Sequence, residues 1–198
     1  MAKPPANQEV LSKLLSITST TGKTTLARKL NKEGFATVPD HTTRERRLDE
    51  IAGVDKIFLT EQEFEQRFRE GEYFEETLDF ARYNGAYYGT LKGWVKHLKN
   101  GRRISVVVVV VSTTMAEKIK IAVQDGIAWV HLHASADTRS ERLWKRGTSE
   151  SEMQTRLTHG DSLGVRFPAD IIIDTSTFSE DEVLRIVLDH VRTVSESK

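Results

Sequence analysis

The chain has 198 residues, of which 38% are hydrophobic and 29% charged, a composition typical of one folded domain with its own core. Its 29 lysine and arginine residues balance its 29 aspartate and glutamate residues, so no overall charge draws it to nucleic acid or to an anionic membrane. The absence of cysteine excludes disulfides and thiolate chemistry and fits a reducing compartment, so we expect a cytoplasmic protein.

Apolar segments of strand length alternate with helical patterns along most of the chain. Such continuous apolar strands, separated by helices, are typical of a parallel sheet that is covered on both faces. The sequence therefore predicts an α/β fold with a five-stranded parallel sheet flanked by helices. The longest apolar run is far shorter than the roughly 20 residues of a membrane-spanning helix, so we expect no membrane partner. The five predicted strands cover residues 14–17, 35–38, 105–111, 127–134 and 169–174, and the first predicted helix covers residues 24–33.

A more polar stretch interrupts this alternation between residues 40 and 90. It is richer in charged and aromatic residues than the rest of the chain, and residues 60–76 have the pattern of an amphipathic helix that runs into a strand. We expect this stretch to form an insertion over one end of the sheet.

The octapeptide TSTTGKTT, residues 18–25, lies between the first predicted strand and the first predicted helix. Parallel α/β sheets bind ligands where their strands end, and a Gly-Lys-Thr turn at that place is typical of a phosphate-binding loop. In such a loop Gly22 permits close backbone approach, Lys23 reaches the β- and γ-phosphates, and the Thr24 hydroxyl binds Mg²⁺. The match to G-x-x-x-x-G-K-[ST] is partial because Ile17 stands at the first glycine. A helix start capped by threonines is the alternative.

Two later segments carry arginines at spacings suited to anions. Arg44 and Arg47 are three residues apart and can converge on one anion through forked hydrogen bonds, although a solvated charged segment has the same composition. Arg142 and Arg146 are four residues apart, hence on one helical face, and Arg156 follows on the next predicted helix. These three arginines indicate either a cover over a polyanion or an exposed helix with ion pairs.

Six segments, in this order and spacing, resemble the guanylate kinase family over about residues 14–190; they are GKTT, HTTRERR, GVDKIF, GEYFE, GAYYGT and ERLWKRGTSESEMQTRL. The resemblance implies a P-loop nucleoside monophosphate kinase that transfers the γ-phosphoryl group of ATP to GMP or dGMP with Mg²⁺. It also implies a single domain, monomeric or homodimeric, with three parts. These are a core (residues 12–37, 93–138 and 158–198), a monophosphate-binding insertion (38–92) and a lid (139–157).

The same resemblance implies roles for residues of the donor site and the lid. Lys23 matches the loop lysine, and Thr24 matches the metal-linked hydroxyl. Gly22 and Thr25 complete the ATP-binding loop. The family's lid arginines, which neutralise the transferring phosphoryl group, are matched by Arg142, Arg146 and Arg156.

On the acceptor side the resemblance implies a phosphate site and a base site. Arg44 and Arg47 match two arginines that hold the phosphate of the monophosphate, and Tyr88 matches the tyrosine that assists them. Glu75 matches the carboxylate that reads the N1 and N2 edge of guanine, and Thr90 matches a hydroxyl close to the base.

Three positions depart from the family pattern. Asp40 stands where the family has a serine that bonds the base, and as an acceptor-only group it opposes a carbonyl such as guanine O6. Lys56 replaces a tyrosine that contacts the acceptor phosphate, and the valine run 106–111 lacks an aspartate near its carboxyl end. An acceptor with another base, modified or not, therefore stays open. A non-catalytic module that binds a protein is a further alternative, disfavoured because Lys23 and the lid arginines are present.

Three weaker predictions concern the second half of the chain. His131 and His133 alternate along a predicted strand, and we expect them to be packing or surface residues rather than metal ligands. The sequence His-Gly-Asp at residues 159–161 is typical of a turn that ends a helix. Asp174 and Thr175, at the end of the last predicted strand, are expected near the base of ATP.

Overall fold

The protein is an α/β structure in which short strands alternate with helices. A computed structural model describes residues 22–73, 85–93, 106–108, 128–163 and 169–196. In chain order the elements are α1 (Lys23–Lys32), β1 (Ala36–Val38), β2 (Asp40–Thr42), β3 (Lys56–Phe58), α2 (Glu61–Arg69), β4 (Tyr88–Gly89), β5 (Val106–Val108), β6 (Val130–His133), α3 (Ala136–Lys145), α4 (Glu150–Leu163), β7 (Ile171–Asp174) and α5 (Glu180–Glu196).

Four of the five predicted core strands lie where the apolar runs placed them, and they form two parallel pairs. β1 pairs with β5, and β6 pairs with β7. The predicted strand at residues 14–17 lies outside the described residues, so the five-stranded sheet stays a prediction.

The main core packs two helices against the β6–β7 pair. Residues that recur every fourth position on α1 and α5 face this pair, because that spacing puts them on one side of a helix. The two helices are also linked outside the core by an ion pair of 2.6 Å between Lys29 Nζ and an Asp181 carboxylate oxygen. The buried core residues are Leu26, Leu30, Ala128, Val130, Leu132, Ile173, Val183, Val187 and Val191.

The predicted insertion contains a three-stranded sheet of its own, with β2 in the middle. β3 runs parallel to β2 and places Lys56 opposite Asp40, whereas β4 runs antiparallel and places Gly89 opposite His41. The predicted amphipathic helix is confirmed as α2, which begins with a capping box formed by Thr60 and a glutamate three residues later.

The insertion sheet is held by aromatic packing against α2. Phe64 of α2 is buried and stacks on Tyr73 with ring centroids 4.6 Å apart. The Tyr73 hydroxyl lies 2.7 Å from His41 Nδ1, which ties the ring to β2. Gly89 lies under both rings, since a Cβ atom at that position would be 2.9 Å from ring carbons of Phe64 and Tyr73.

The predicted lid region forms two helices, α3 and α4, joined by a short turn. Ser135 caps α3 by accepting a hydrogen bond of 3.2 Å from the backbone N–H of Thr138. The buried Arg139 links the helices through a 3.2 Å hydrogen bond from Nη1 to the carbonyl oxygen of Leu157.

The prediction that residues 159–161 end a helix is wrong, because α4 continues to Leu163. A single glycine costs a helix interior only about 1 kcal/mol relative to alanine, which is too little to end a helix that is otherwise favourable. Among the described residues, no helix combines the length and the apolar character that crossing a membrane requires.

Replacing Gly89 with alanine is expected to lower the free energy of unfolding by about 1–3 kcal/mol, because the rings of Phe64 and Tyr73 must move to admit the methyl group. Urea denaturation followed by circular dichroism measures the change. Gly93→Ala is the matched control, since a Cβ atom there meets nothing within 4 Å. Equal stability of the two variants would contradict the packing described for Gly89.

Candidate active site

The start of α1 is arranged to receive an anion. Gly22 precedes the helix with φ 92°, a left-handed conformation that glycine adopts without a steric penalty. Within the described residues no side chain caps the helix, and its first turn contains no acidic residue. The free N–H groups and the positive end of the helix dipole therefore favour a negatively charged ligand. Thr24 is exposed and Thr25 half-buried in this first turn, whereas Ile17 lies outside the described residues.

Lys23 is surrounded by other cations. Burial, and next the positive charge of Lys56, lower the pKa of Lys23 to about 7, and Arg156 and Arg146 act in the same direction. The Asp40 carboxylate opposes them and raises the pKa. The fold thus brings lid, insertion and loop cations together, and their mutual repulsion falls when a polyanion binds among them.

Arg44 and Arg47 follow the end of β2 and share a carboxylate that the sequence analysis missed. Arg44 Nη1 donates a hydrogen bond of 2.7 Å to Glu50 Oε2, and Arg44 Nη2 donates to Glu50 Oε1. The backbone N–H of Arg47 donates to Glu50 Oε2 at 3.0 Å, and Arg47 Nη1 lies 3.9 Å from Oε1. The only sequence signal for this role was the position of Glu50, three residues after Arg47.

Glu50 holds the two arginines in a fixed arrangement. Its side chain is only 7% exposed. Burial alone raises the pKa of Glu50, but the hydrogen bonds from Arg44 and from the Arg47 backbone outweigh burial and hold the pKa below its usual value. The carboxylate therefore stays ionised and fixes the guanidinium of Arg44 in a bidentate pair.

The arginine pair of the insertion lies close to one lid arginine. Burial lowers the pKa of Arg47, and the charges of Arg44 and Arg156 lower it further. Burial lowers the pKa of Arg44, but Glu50 outweighs burial and raises it, and Tyr88, on β4, adds a smaller effect in the same direction. Arg156 also lowers the pKa of Lys23, so its charge acts on both the α1 start and the insertion.

The three lid arginines have different surroundings. Arg156 is buried on α4 and donates a hydrogen bond of 2.8 Å from Nε to Glu152 Oε1. Arg146 is exposed and forms the C-cap of α3. Arg142 points elsewhere, because its guanidinium donates to the hydroxyl and the carbonyl oxygen of Thr175 at 2.9 and 2.8 Å. The structure thus brings Arg146 and Arg156 towards Lys23 and fastens Arg142 to the end of β7.

Two of the three departures from the family pattern, Asp40 and Lys56, contact each other. Lys56 Nζ donates a hydrogen bond of 3.0 Å to Asp40 Oδ2, and Thr90 Oγ1 donates one of 3.0 Å to Asp40 Oδ1. The sequence could not predict this arrangement because it depends on the register of β2 with β3. Glu75, the predicted base-reading carboxylate, lies outside the described residues.

A second link joins α1 to the insertion. Arg28 Nε donates a hydrogen bond of 2.9 Å to Asp55 Oδ1, and its Nη2 atom lies 2.5 Å from Oδ2. Asp55 is almost fully buried and also accepts a hydrogen bond of 2.7 Å from the backbone N–H of Ile51. The helix that begins with Lys23 is therefore tied to the residue that directly precedes Lys56.

Comparison with known proteins identifies relatives of the chain. The sequence model of the family described as guanylate kinase matches residues 12–187. A guanylate kinase of Neisseria gonorrhoeae is 31% identical over 180 residues, which cover 88% of this chain and 85% of that protein. A guanylate kinase of Oceanobacillus iheyensis is 32% identical over 143 residues, or 71% of this chain and 66% of that protein.

A solved structure shows the same fold. The crystal structure of guanylate kinase from Anaplasma phagocytophilum superposes with a TM-score of 0.63 at 20% identity, covering 93% of this chain and 86% of that one. This likeness establishes a P-loop kinase-like α/β fold.

Replacing Glu50 with glutamine is expected to lower the free energy of unfolding by about 1–3 kcal/mol, because the half-buried Arg44 guanidinium loses its ionised partner. Chemical denaturation measures the change. Glu141→Gln makes the same substitution in an exposed ion pair with Lys145, and there we expect no measurable change in stability. A Glu50 variant as stable as the Glu141 variant would show that the arginines do not depend on this carboxylate.

Proposed function

We propose a specific reaction for this chain, which belongs to the guanylate kinase family of ATP-dependent nucleoside monophosphate kinases. It transfers the γ-phosphoryl group of ATP to GMP or dGMP and produces ADP and the corresponding diphosphate. The observation that carries the proposal is the position of Arg156, which acts on both Lys23 and Arg47. The proposed donor and acceptor sites therefore share the charge of this arginine, as transfer between two phosphates requires.

The donor site is the start of α1. Gly22 and the free N–H groups that follow it hold the β- and γ-phosphates of ATP, and Lys23 neutralises their charge. Thr25 completes the loop. Arg142 is hydrogen-bonded to Thr175 at the end of β7. We place the base of ATP at this end of β7, so Arg142 lies near the base.

Thr24 is the side chain at this site that suits Mg²⁺. Among the described residues there is no cluster of three or more His, Cys, Asp or Glu side chains that could enclose a metal. Mg²⁺ in kinases commonly takes most of its ligands from phosphates and water, so one exposed hydroxyl at the start of α1 fits that coordination. When bound, the ion neutralises phosphate charge.

The acceptor site lies in the insertion. Arg44 and Arg47, oriented by Glu50, hold the phosphate of the monophosphate by forked hydrogen bonds, and Tyr88 assists beside Arg44. We assign reading of the guanine edge to Glu75 on the resemblance to the family alone.

The lid completes the reaction site. Phosphoryl transfer passes through a loose transition state that needs alignment and charge neutralisation more than acid–base chemistry. Arg146 and Arg156 supply positive charge near Lys23, and the charge of Arg156 also reaches the acceptor arginine Arg47. These residues account for the reaction without a catalytic histidine.

Measuring ADP release with Mg·ATP tests the proposal across a panel of ribo- and deoxynucleoside monophosphates. We expect GMP or dGMP to be the preferred acceptor. If a monophosphate with another base were preferred, the proposed phosphoryl transfer would stand, but the proposed acceptor would be wrong. If no monophosphate stimulated ADP release, the chain would be a non-catalytic module instead.

Lys23→Met is expected to reduce kcat by about 100-fold or more, because it removes a cation from the transferring phosphates and keeps the length of the side chain. The fold should persist, as judged by circular dichroism. Lys145→Met is the control, since Lys145 is exposed and its ammonium pairs with Glu141. Near-normal turnover by the Lys23 variant would exclude the proposed loop.

Arg47→Ala is expected to raise the KM for the monophosphate by about tenfold or more and to leave the KM for ATP nearly unchanged, because it removes one fork of the acceptor site. Arg47 suits this test better than Arg44, whose loss strands the buried Glu50. Arg192→Ala, an exposed site on α5, controls for the loss of one positive charge. Equal effects on both substrates would move Arg47 out of the acceptor site.

A further inference from the structure

A buried carboxylate at the start of β2 is bridged from both neighbouring strands. Asp40 lies opposite Lys56 of β3, and its side chain is 4% exposed while that of Lys56 is 17% exposed. From the other side, Thr90 follows β4 and donates its hydroxyl proton to the second carboxylate oxygen. Each oxygen of Asp40 therefore already accepts a hydrogen bond within the protein.

The location of this ion pair argues against a purely structural role. Removing two charges from water costs several kcal/mol, and a buried ion pair often gives no net stability over apolar residues of the same size. Lys56 has three N–H donors, and Asp40 Oδ2 accepts one of them. The positive charge of Lys56 also acts on Lys23 more strongly than any other charge.

We propose that Asp40 is a positioning residue, which holds the Lys56 ammonium beside Lys23 as an additional cation for the acceptor's phosphate, and that it does not read the acceptor's base. This inference rests on the proposed kinase reaction. Lys56 offers its remaining N–H groups to phosphate oxygens, which suits a compact ammonium group.

The hydrogen bonds of Asp40 account for its compatibility with guanine. A bare carboxylate opposite guanine O6 is repulsive, but Lys56 neutralises this one and Thr90 occupies its other oxygen. Thr90 has a single O–H donor, which it gives to Asp40, so towards any further group its oxygen can only accept a hydrogen bond.

A double-mutant cycle tests the coupling. We expect Asp40→Asn and Lys56→Met each to raise the KM for GMP about tenfold, and the double variant to match Lys56→Met alone, because Asp40 acts only through Lys56. The KM for ATP should change less than about threefold. A double variant with the product of the two effects, about 100-fold, would overturn the proposal, and so would an unchanged KM in both single variants.

Thermal denaturation distinguishes a positioning role of the Asp40–Lys56 pair from a purely structural one. A pair with only a structural role would lower the melting temperature of the single variants and leave the KM for GMP unchanged. If Asp40→Asn does not fold, the comparison of Lys56→Met with the double variant still tests the proposal. Equal KM values for GMP in these two variants support it, and a further tenfold rise in the double variant contradicts it. Asp189→Asn makes the same substitution in an exposed pair with Arg192 and is expected to change neither quantity.

A second arm distinguishes phosphate from base. In Asp40→Asn the ratio of kcat/KM values among GMP, dGMP and AMP should stay within about threefold of wild type, whereas a change above about tenfold would show that Asp40 reads the base. Calorimetric titration with GMP makes binding measurable without turnover. If GMP binds but is not phosphorylated, the proposed kinase reaction is wrong, and the double-mutant cycle can still be measured from binding constants. If GMP does not bind, both the proposed reaction and the proposed role of Asp40 are wrong.

Discussion

The mutual repulsion of cations is the constraint on which the site depends. Burial lowers the pKa of Lys23 most, and the charges of Lys56 from the insertion and of Arg156 and Arg146 from the predicted lid lower it further. Like charges held close in a partly desolvated place are costly. In the proposed reaction, bound phosphates would lower that cost. The strands, the insertion sheet and the helix pair matter to function because they hold these side chains together.

Two buried carboxylates each bind one of the cationic side chains around the site. Glu50 binds Arg44 in a bidentate pair, and Asp40 binds Lys56. Neither carboxylate cancels the field, because each meets one cation closely and leaves the others to act at longer range. Orientation is their main contribution, since a long cationic side chain without a fixed partner loses conformational entropy when it binds a ligand.

The sequence was sufficient for features that depend on local pattern. The β-branched residues at 171–174 predicted a strand there. The Gly-Lys-Thr sequence predicted the start of α1, and in the structure Gly22 precedes that helix with a positive φ. Features that depend on strand register or on folding of a charged loop were not predictable. The Asp40–Lys56 pair requires the alignment of β2 with β3, and the role of Glu50 requires the loop to fold back on Arg44. Glycine at position 160 led to the wrong prediction that a helix ends there, because a helix tolerates a single glycine.

The contact between Arg28 and Asp55 sets a distance that matters to both nucleotides. Arg28 lies on the helix that Lys23 begins, and Asp55 is the neighbour of Lys56 in the chain, so a single guanidinium–carboxylate contact acts as a strut between the two lysines. Any displacement of α1 is passed through this strut to the start of β3. The spacing between the proposed donor and acceptor sites therefore depends in part on this contact.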